Sequence, residues 1–130
     1  MTNIPKKLFY SATHEWVRKD EDVLTIGITD HAQTMLGDLV YVELPEPETG
    51  FETGQECAVI ESVKAAADIY CPISGEIVEV NEELLQNPQV INQDPYGKGW
   101  LFRLRPFEND FTNKLLNADQ YTKQVASEAH

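Results

Sequence analysis

Apolar residues recur along this chain mostly at every second position, in short runs broken by turn formers. Val23-Leu24-Thr25-Ile26-Gly27-Ile28 reads as one strand, and Leu39-Val40-Tyr41-Val42-Glu43-Leu44 as another that Pro45 closes. Glu56-Cys57-Ala58-Val59-Ile60-Glu61-Ser62 and Ala67-Asp68-Ile69-Tyr70-Cys71 flank Lys64 as the arms of a hairpin. Ile77-Val78-Glu79-Val80 and Trp100-Leu101-Phe102-Arg103-Leu104 complete the set, the last alternating as a half-buried antiparallel strand should. Many short strands of this kind predict a mainly β fold, a small antiparallel sandwich or barrel. The order glycine, acid, aliphatic, valine, variable, valine occurs twice, from Gly37 and from Gly75, and suits two equivalent strands after equivalent turns.

Helical spacing is rarer and lies toward the edges. Asp30 is placed to cap a short helix through Leu36, with Gln33 set for a capping box and Gly37 to end it. Ala32, Met35 and Leu36 would form its inward stripe. Phe111, Leu115 and Leu116 suggest another helix that Asn117 ends, and a further short one follows Asp119. Asn87-Pro88 and the segment from Asp94 to Gly99 read as loops. Residues 1–7 and 127–130 read as flexible ends of one domain spanning residues 1–130.

Charge narrows the functions available. The 22 acidic residues outnumber the 10 basic ones, for a formal net charge of −12, and such a field repels nucleic acid. It suits a mobile protein that docks on basic patches of partners. No apolar run approaches a membrane span, and Met1 to Lys7 lacks the apolar stretch of a secretory signal, so a cytoplasmic protein without membrane contact is expected. Cys57 and Cys71 lack metal-binding spacing and read as reduced core side chains; a three-residue turn at Lys64 would set them opposite each other. His14 and Glu15 begin a zinc-protease pattern that Arg18 breaks, and His31 and His130 add no visible cluster. No metal site is expected. Trp16 and Trp100 read as packing residues.

The stretch with chemistry is Glu61-Ser62-Val63-Lys64-Ala65-Ala66-Ala67-Asp68. A lone loop lysine is ordinarily a solvated charge. This one stands between two strands, with small neighbours and no other lysine between Lys19 and Lys98. An enzyme that modifies a single lysine needs such a side chain on a rigid support.

Glu61-Ser62-Val63-Lys64-Ala65 resembles the lipoyl-lysine turn of the glycine cleavage H proteins. The resemblance continues through His14-Glu15-Trp16-Val17, Gly27-Ile28-Thr29-Asp30, Leu36-Gly37-Asp38, Val42-Glu43-Leu44-Pro45, Asp68-Ile69-Tyr70 and Pro72-Ile73-Ser74-Gly75-Glu76. Asn81, Asn92, Asp94-Pro95-Tyr96-Gly97 and Gly99-Trp100-Leu101 extend it in order, so that it runs from about Leu8 to about Lys123. It implies a barrel-sandwich hybrid of two antiparallel sheets, with a lipoyl-bearing hairpin, a few peripheral helices, a C-terminal helix and a monomeric state. It implies covalently bound lipoic acid on Lys64, the turn being supported by Glu61, Ser62, Val63 and Ala65. The implied role is a non-catalytic carrier that takes an aminomethyl group of glycine from the pyridoxal-phosphate glycine decarboxylase (P protein) to the folate-dependent aminomethyltransferase (T protein). Dihydrolipoamide dehydrogenase (L protein) and a lipoate ligase or lipoyltransferase complete the implied partners. A cleft for the loaded arm is implied at Thr13, Glu15 and Asp68, where the two acids would hold the cationic amine and Thr13 a hydrogen bond. Ala67 and Cys71 depart from the residues usual in the family at those positions.

Other readings fit less well. Biotinyl domains favour methionines beside the lysine, where Val63 and Ala65 stand here. Lipoyl domains of 2-oxo acid dehydrogenases are shorter and attached to larger enzymes. A Schiff-base enzyme needs a desolvated amine, whereas Glu61 and Asp68 favour a charged one. A relay that passes lipoate to other carriers would use the same lysine.

Overall fold

The computed structural model describes residues 3–128. Nine strands form two antiparallel sheets, neither of which closes on itself. The larger has β1 (Phe9–Tyr10), β2 (Glu15–Asp20), β3 (Val23–Ile28), β5 (Gly50–Phe51), β8 (Gly75–Val80) and β9 (Phe102–Pro106), in spatial order β1-β2-β3-β9-β8-β5. The smaller joins β4 (Leu39–Glu43), β6 (Glu56–Ser62) and β7 (Ala66–Tyr70), with β6 central. The expected strands are thus present with shifted ends, and three more were not legible. β2 was hidden because Glu15, Trp16 and Val17 are all buried in succession, which erases the alternation. β1 and β5 are two-residue strands, too short for any period to show. Strand β9 starts at Phe102 and extends to Pro106, its buried Phe102 and Leu104 alternating with Arg103 and Arg105.

Apolar faces of both sheets meet in one core. Val17, Leu24, Ile26, Ile28, Ile77 and Leu104 come from the larger sheet, and Leu39, Val42, Ile60 and Ile69 from the smaller. Burying each such side chain contributes on the order of 2 kcal/mol. A second cluster, Leu8, Tyr10, Trp16, Ala118 and Tyr121, fastens the C-terminal helix to the outer edge of the larger sheet. Tyr10 stacks on Tyr121 with ring centroids 4.6 Å apart, and Trp16 Nε1 donates to the Pro95 carbonyl at 2.9 Å. Gly27 is required there: a Cβ would sit 2.7 Å from the Trp16 ring. Trp100 is half-buried, with the Arg103 guanidinium 4.1 Å above its ring.

Helix α1 (Asp30–Leu36) is capped one residue earlier than expected, because Thr29 Oγ1 accepts from Ala32 N at 3.2 Å. Gly37 ends it as expected, at φ 86° and with its N–H on Gln33 O. Of its stripe, Ala32 and Leu36 pack half-buried against the core as expected, whereas Met35 is 58% exposed. Two short helices, α2 (Glu83–Gln86) and α3 (Val90–Gln93), flank Asn87-Pro88 where only a loop was expected. The C-terminal expectation needs a larger correction. Phe111–Lys114 is a single 3-10 turn, and Asn117 begins rather than ends a helix. Asn117 Oδ1 accepts from Gln120 N at 2.8 Å while Gln120 Oε1 accepts from Asn117 N at 2.9 Å, a reciprocal capping box for α4 (Ala118–Glu128). Ser127 and Glu128, read as part of a frayed tail, are its last residues; Met1, Thr2, Ala129 and His130 lie outside the described residues.

Candidate functional site

Lys64 stands at the tip of the β6–β7 hairpin. Glu61 pairs with Ala66, Ile60 with Ala67 and Val59 with Asp68, so the turn is Ser62-Val63-Lys64-Ala65 rather than a three-residue loop. That register leaves Cys57 in a bulge between Glu56 and Ala58, not opposite Cys71. Both cysteines are free and buried. The Cys57 thiol is held well above its ordinary range by its hydrogen bond with Cys71 and by burial.

The turn contains no positive φ, as a β-branched Val63 demands. It is therefore not one of the primed hairpin turns, and its stability comes from a side chain instead. Ser62 Oγ accepts from Ala65 N at 3.0 Å and from Lys64 N at 3.2 Å, while donating to Ala65 O. Ser62 N–H donates to Ala65 O at 2.7 Å, and Val63 N–H to Asp38 O at 3.1 Å. The turn is thus pinned to the segment that leads into β4. Glu61, Val63, Lys64 and Ala65 all face solvent, and Ser62 alone of the turn is buried.

The lysine side chain lies over the end of α1. A Cβ on Gly37 would make ordinary contact with Lys64 Cε at 3.4 Å, so it is the positive φ that favours glycine there. Beside it lies an open cleft of 240 Å³ walled by Ile28, Ala32, Met35, Leu36, Ile60, Ala67 and Ile69. Thr13, His14 and Asp68 bring polar groups to the same wall. A largely apolar cleft with a few polar groups suits an alkyl chain that carries a polar head.

Glu15 adjoins the cleft through its hydrogen bond with Thr13. Its side chain is buried, and its carboxylate accepts from Ser11 Oγ, Thr13 Oγ1 and, at 3.3 Å, Tyr70 N. Burial pushes its pKa up to about 6, against the pull of those three hydrogen bonds. Glu15 belongs to β2 and Tyr70 to β7, so this one carboxylate ties the larger sheet to the lysine hairpin. Glu15 is thus a buried carboxylate rather than a surface one. Asp68 is exposed on β7, and Thr13 is exposed in the β1–β2 loop. Thr13 and Asp68 meet at the cleft, with Glu15 reaching them through the Thr13 hydroxyl.

Two sets of residues escaped the sequence reading. Ser11 joins Thr13 and Glu15 at alternate positions, a local signal that was present. The second set had no local signal: His14, His31 and Glu128 converge within 4.8 Å of one another, although the sequence showed no cluster at these histidines. Exposed apolar side chains form a third feature. Val63, Met35, Val40 and Tyr41 project from the turn, α1 and β4, the elements around Lys64. An apolar rim of this kind marks an interaction site.

Comparison with known proteins gives a consistent result. The family model described as Glycine cleavage H-protein matches residues 8–128. A glycine cleavage system H protein of Thermus thermophilus is 53% identical over 127 residues, covering 98% of this chain and 99% of the relative. One from Alkalilimnicola ehrlichii is 51% identical over 129 residues, again covering 98% and 99%. Among solved structures, a glycine cleavage system H protein from Mycobacterium marinum superposes with a TM-score of 0.87 at 39% identity, covering 95% of this chain and 99% of that one.

Proposed function

The chain belongs to the glycine cleavage H-protein family, and on that premise we propose that it is a non-catalytic lipoyl carrier whose covalent attachment point is Lys64. One observation carries the reading: the exposed tip lysine lies over Gly37, next to a largely apolar cleft whose wall also bears Thr13, His14 and Asp68. The residues fit the group. Lys64 is exposed for a modifying enzyme, and Met35, Leu36, Ile60 and Ala67 offer the walls that an alkyl arm needs. When bound, lipoate supplies a dithiol that accepts and releases an aminomethyl unit.

The chain's own residues hold and shelter that unit. Asp68 offers a carboxylate on the cleft wall, and Thr13 offers a hydroxyl already aligned by Glu15. With its pKa pushed up to about 6, Glu15 is ionised near neutral pH and puts a negative charge behind the Thr13 hydroxyl. An ammonium head is attracted to these groups, and the apolar walls keep water from the carbon it carries. Val63, Met35, Val40 and Tyr41 give partner enzymes a surface centred on the lysine. Those partners are the glycine decarboxylase, the aminomethyltransferase, dihydrolipoamide dehydrogenase and a lipoate ligase or lipoyltransferase, in the cytoplasm. Among the described residues no helix is long and apolar enough to cross a membrane.

The test loads the lipoylated chain with glycine and the decarboxylase, removes the enzyme and follows loss of the aminomethyl group. Glu15→Gln with Asp68→Asn should speed that loss by about tenfold, the equivalent of one charge-assisted hydrogen bond. An unchanged rate would remove both acids from the sheltering role.

A further inference from the structure

The three groups that sequence spacing kept apart carry a second site. His14 comes from the β1–β2 loop, His31 from α1 and Glu128 from the last turn of α4. Glu128 Oε1 is 3.1 Å from His14 Nε2 and 3.6 Å from His31 Nε2. His31 Nε2 is buried and has no hydrogen-bond partner, so a polar atom faces the cluster unsatisfied. His14 is already oriented: its Nδ1 is 2.8 Å from the Tyr121 hydroxyl, which in turn lies 2.7 Å from Thr29 Oγ1. A hydroxyl that accepts from Nδ1–H leaves the Nε2 lone pair free and aimed at the cluster. His14 reaches this position with φ at 75°, a conformation uncommon outside glycine.

We propose that His14 Nε2, His31 Nε2 and the Glu128 carboxylate form a binding site for one divalent transition-metal ion of the zinc type. The proposal stands apart from the lipoyl reading and needs no modified lysine. Two donors each about 2.0–2.1 Å from a tetrahedral ion lie roughly 3.4 Å apart. The two carboxylate-to-imidazole distances, 3.1 and 3.6 Å, bracket that spacing, and with the three donor atoms within 4.8 Å of one another the ion would draw the two imidazoles together by side-chain movement. Two imidazoles with one carboxylate select zinc, copper or nickel over magnesium or calcium. Three protein ligands leave a coordination position for water or an incoming donor. The bound ion would fasten the end of α4 to α1 and to the loop that carries Thr13. The strongly negative chain favours any cation at its surface, but it does not choose these three atoms.

Zinc ion alone is the probe, titrated by calorimetry into the chelator-stripped full-length chain without lipoate. One ion per chain should bind, and His31→Gln and Glu128→Gln should each weaken it by about a hundredfold, with Tyr121→Phe costing about tenfold. His130→Gln should leave affinity unchanged. In the unsubstituted chain, nitrogen-15 spectra should show the His14 and His31 Nε2 signals moving together with zinc, a readout that does not depend on any variant folding. Substitution with cobalt(II) should give ligand-field bands without a thiolate charge-transfer band. The proposal is overturned by no stoichiometric uptake, by uptake that His31→Gln leaves intact, or by a thiolate band that moves the ion to Cys57 or Cys71.

Discussion

The hairpin tip and the buried start of β2, the floor on which the Thr13 hydroxyl is held through Glu15, are built by opposite means. At the tip, Ser62 clamps Lys64 and Ala65 through bonds that span at most three residues. At the floor, Glu15 receives Tyr70 N from 55 residues away, and Trp16 is anchored on Pro95. The tip exposes every turn residue but Ser62, whereas the floor buries Glu15, Trp16 and Val17 in succession. The difference separates two needs. On the proposed function, a lysine that meets several enzymes must protrude from a support that holds its shape, and a cleft that keeps water from its cargo must be rigid and dense. The first can be built locally; the second needs both sheets.

Substitutions that strike the two regions separately should show the contrast. Gly27→Ala attacks the floor, where the new Cβ would press on the Trp16 ring at 2.7 Å. It should cost about 3 kcal/mol, read from urea unfolding, because an interior this dense cannot yield a methyl's space. A loss under about 1 kcal/mol would mean that Trp16 swings aside and the floor is soft.

Glu15 gives the next effect, with a defined dependence on pH. Its folded pKa of about 6 lies above its ordinary 4.5, so the native state binds the proton more tightly than the unfolded chain does. Stability from the neutral acid is fully present below 4.5 and is lost as pH rises through about 6, by about 2 kcal/mol. Glu15→Gln, in chelator-treated protein, should abolish that change between pH 4.5 and 7. A parent chain and variant with parallel stability profiles would contradict a Glu15 whose burial raises its pKa.

At the tip, Ser62→Ala should cost only about 1 kcal/mol, since it removes hydrogen bonds without opening a cavity. Lys64 should remain modifiable, more slowly, because the turn would hold it less firmly. Smallest on stability is Val63→Ser, expected within about 0.5 kcal/mol because the side chain is 73% exposed. Its effect belongs to recognition: kcat/KM for lipoyl transfer should fall by about tenfold if the apolar rim is a docking surface. A change in stability with no change in transfer would reverse that assignment.

Legibility in the sequence followed the same divide. The hairpin was readable because Cys57 to Ser62 and Ala67 to Cys71 carry alternation around a turn; only its register was misjudged by one residue. Strand β2 was unreadable because burial on both faces removes the period, and Glu15, a carboxylate in a core position, reads as a surface residue until Ser11, Thr13 and Tyr70 are seen around it. Met35 was assigned inward by helical spacing, yet it walls an open cleft, since periodicity marks an apolar face without saying what covers it. The convergence of His31 and Glu128 depends on how α4 packs against Tyr10 and Trp16, and no local pattern reports that. The resemblance to a family pointed to Lys64 and to Thr13, Glu15 and Asp68 together, where spacing alone pointed only to the lysine.

The most direct measurement of the central claim is intact mass with peptide mapping after expression with lipoate and an active lipoate ligase. The account predicts one lipoyl increment on Lys64, absent from Lys64→Arg while the far-ultraviolet spectrum and unfolding midpoint stay unchanged. An unmodified Lys64, beside a control acceptor that the same ligase modifies, would contradict it.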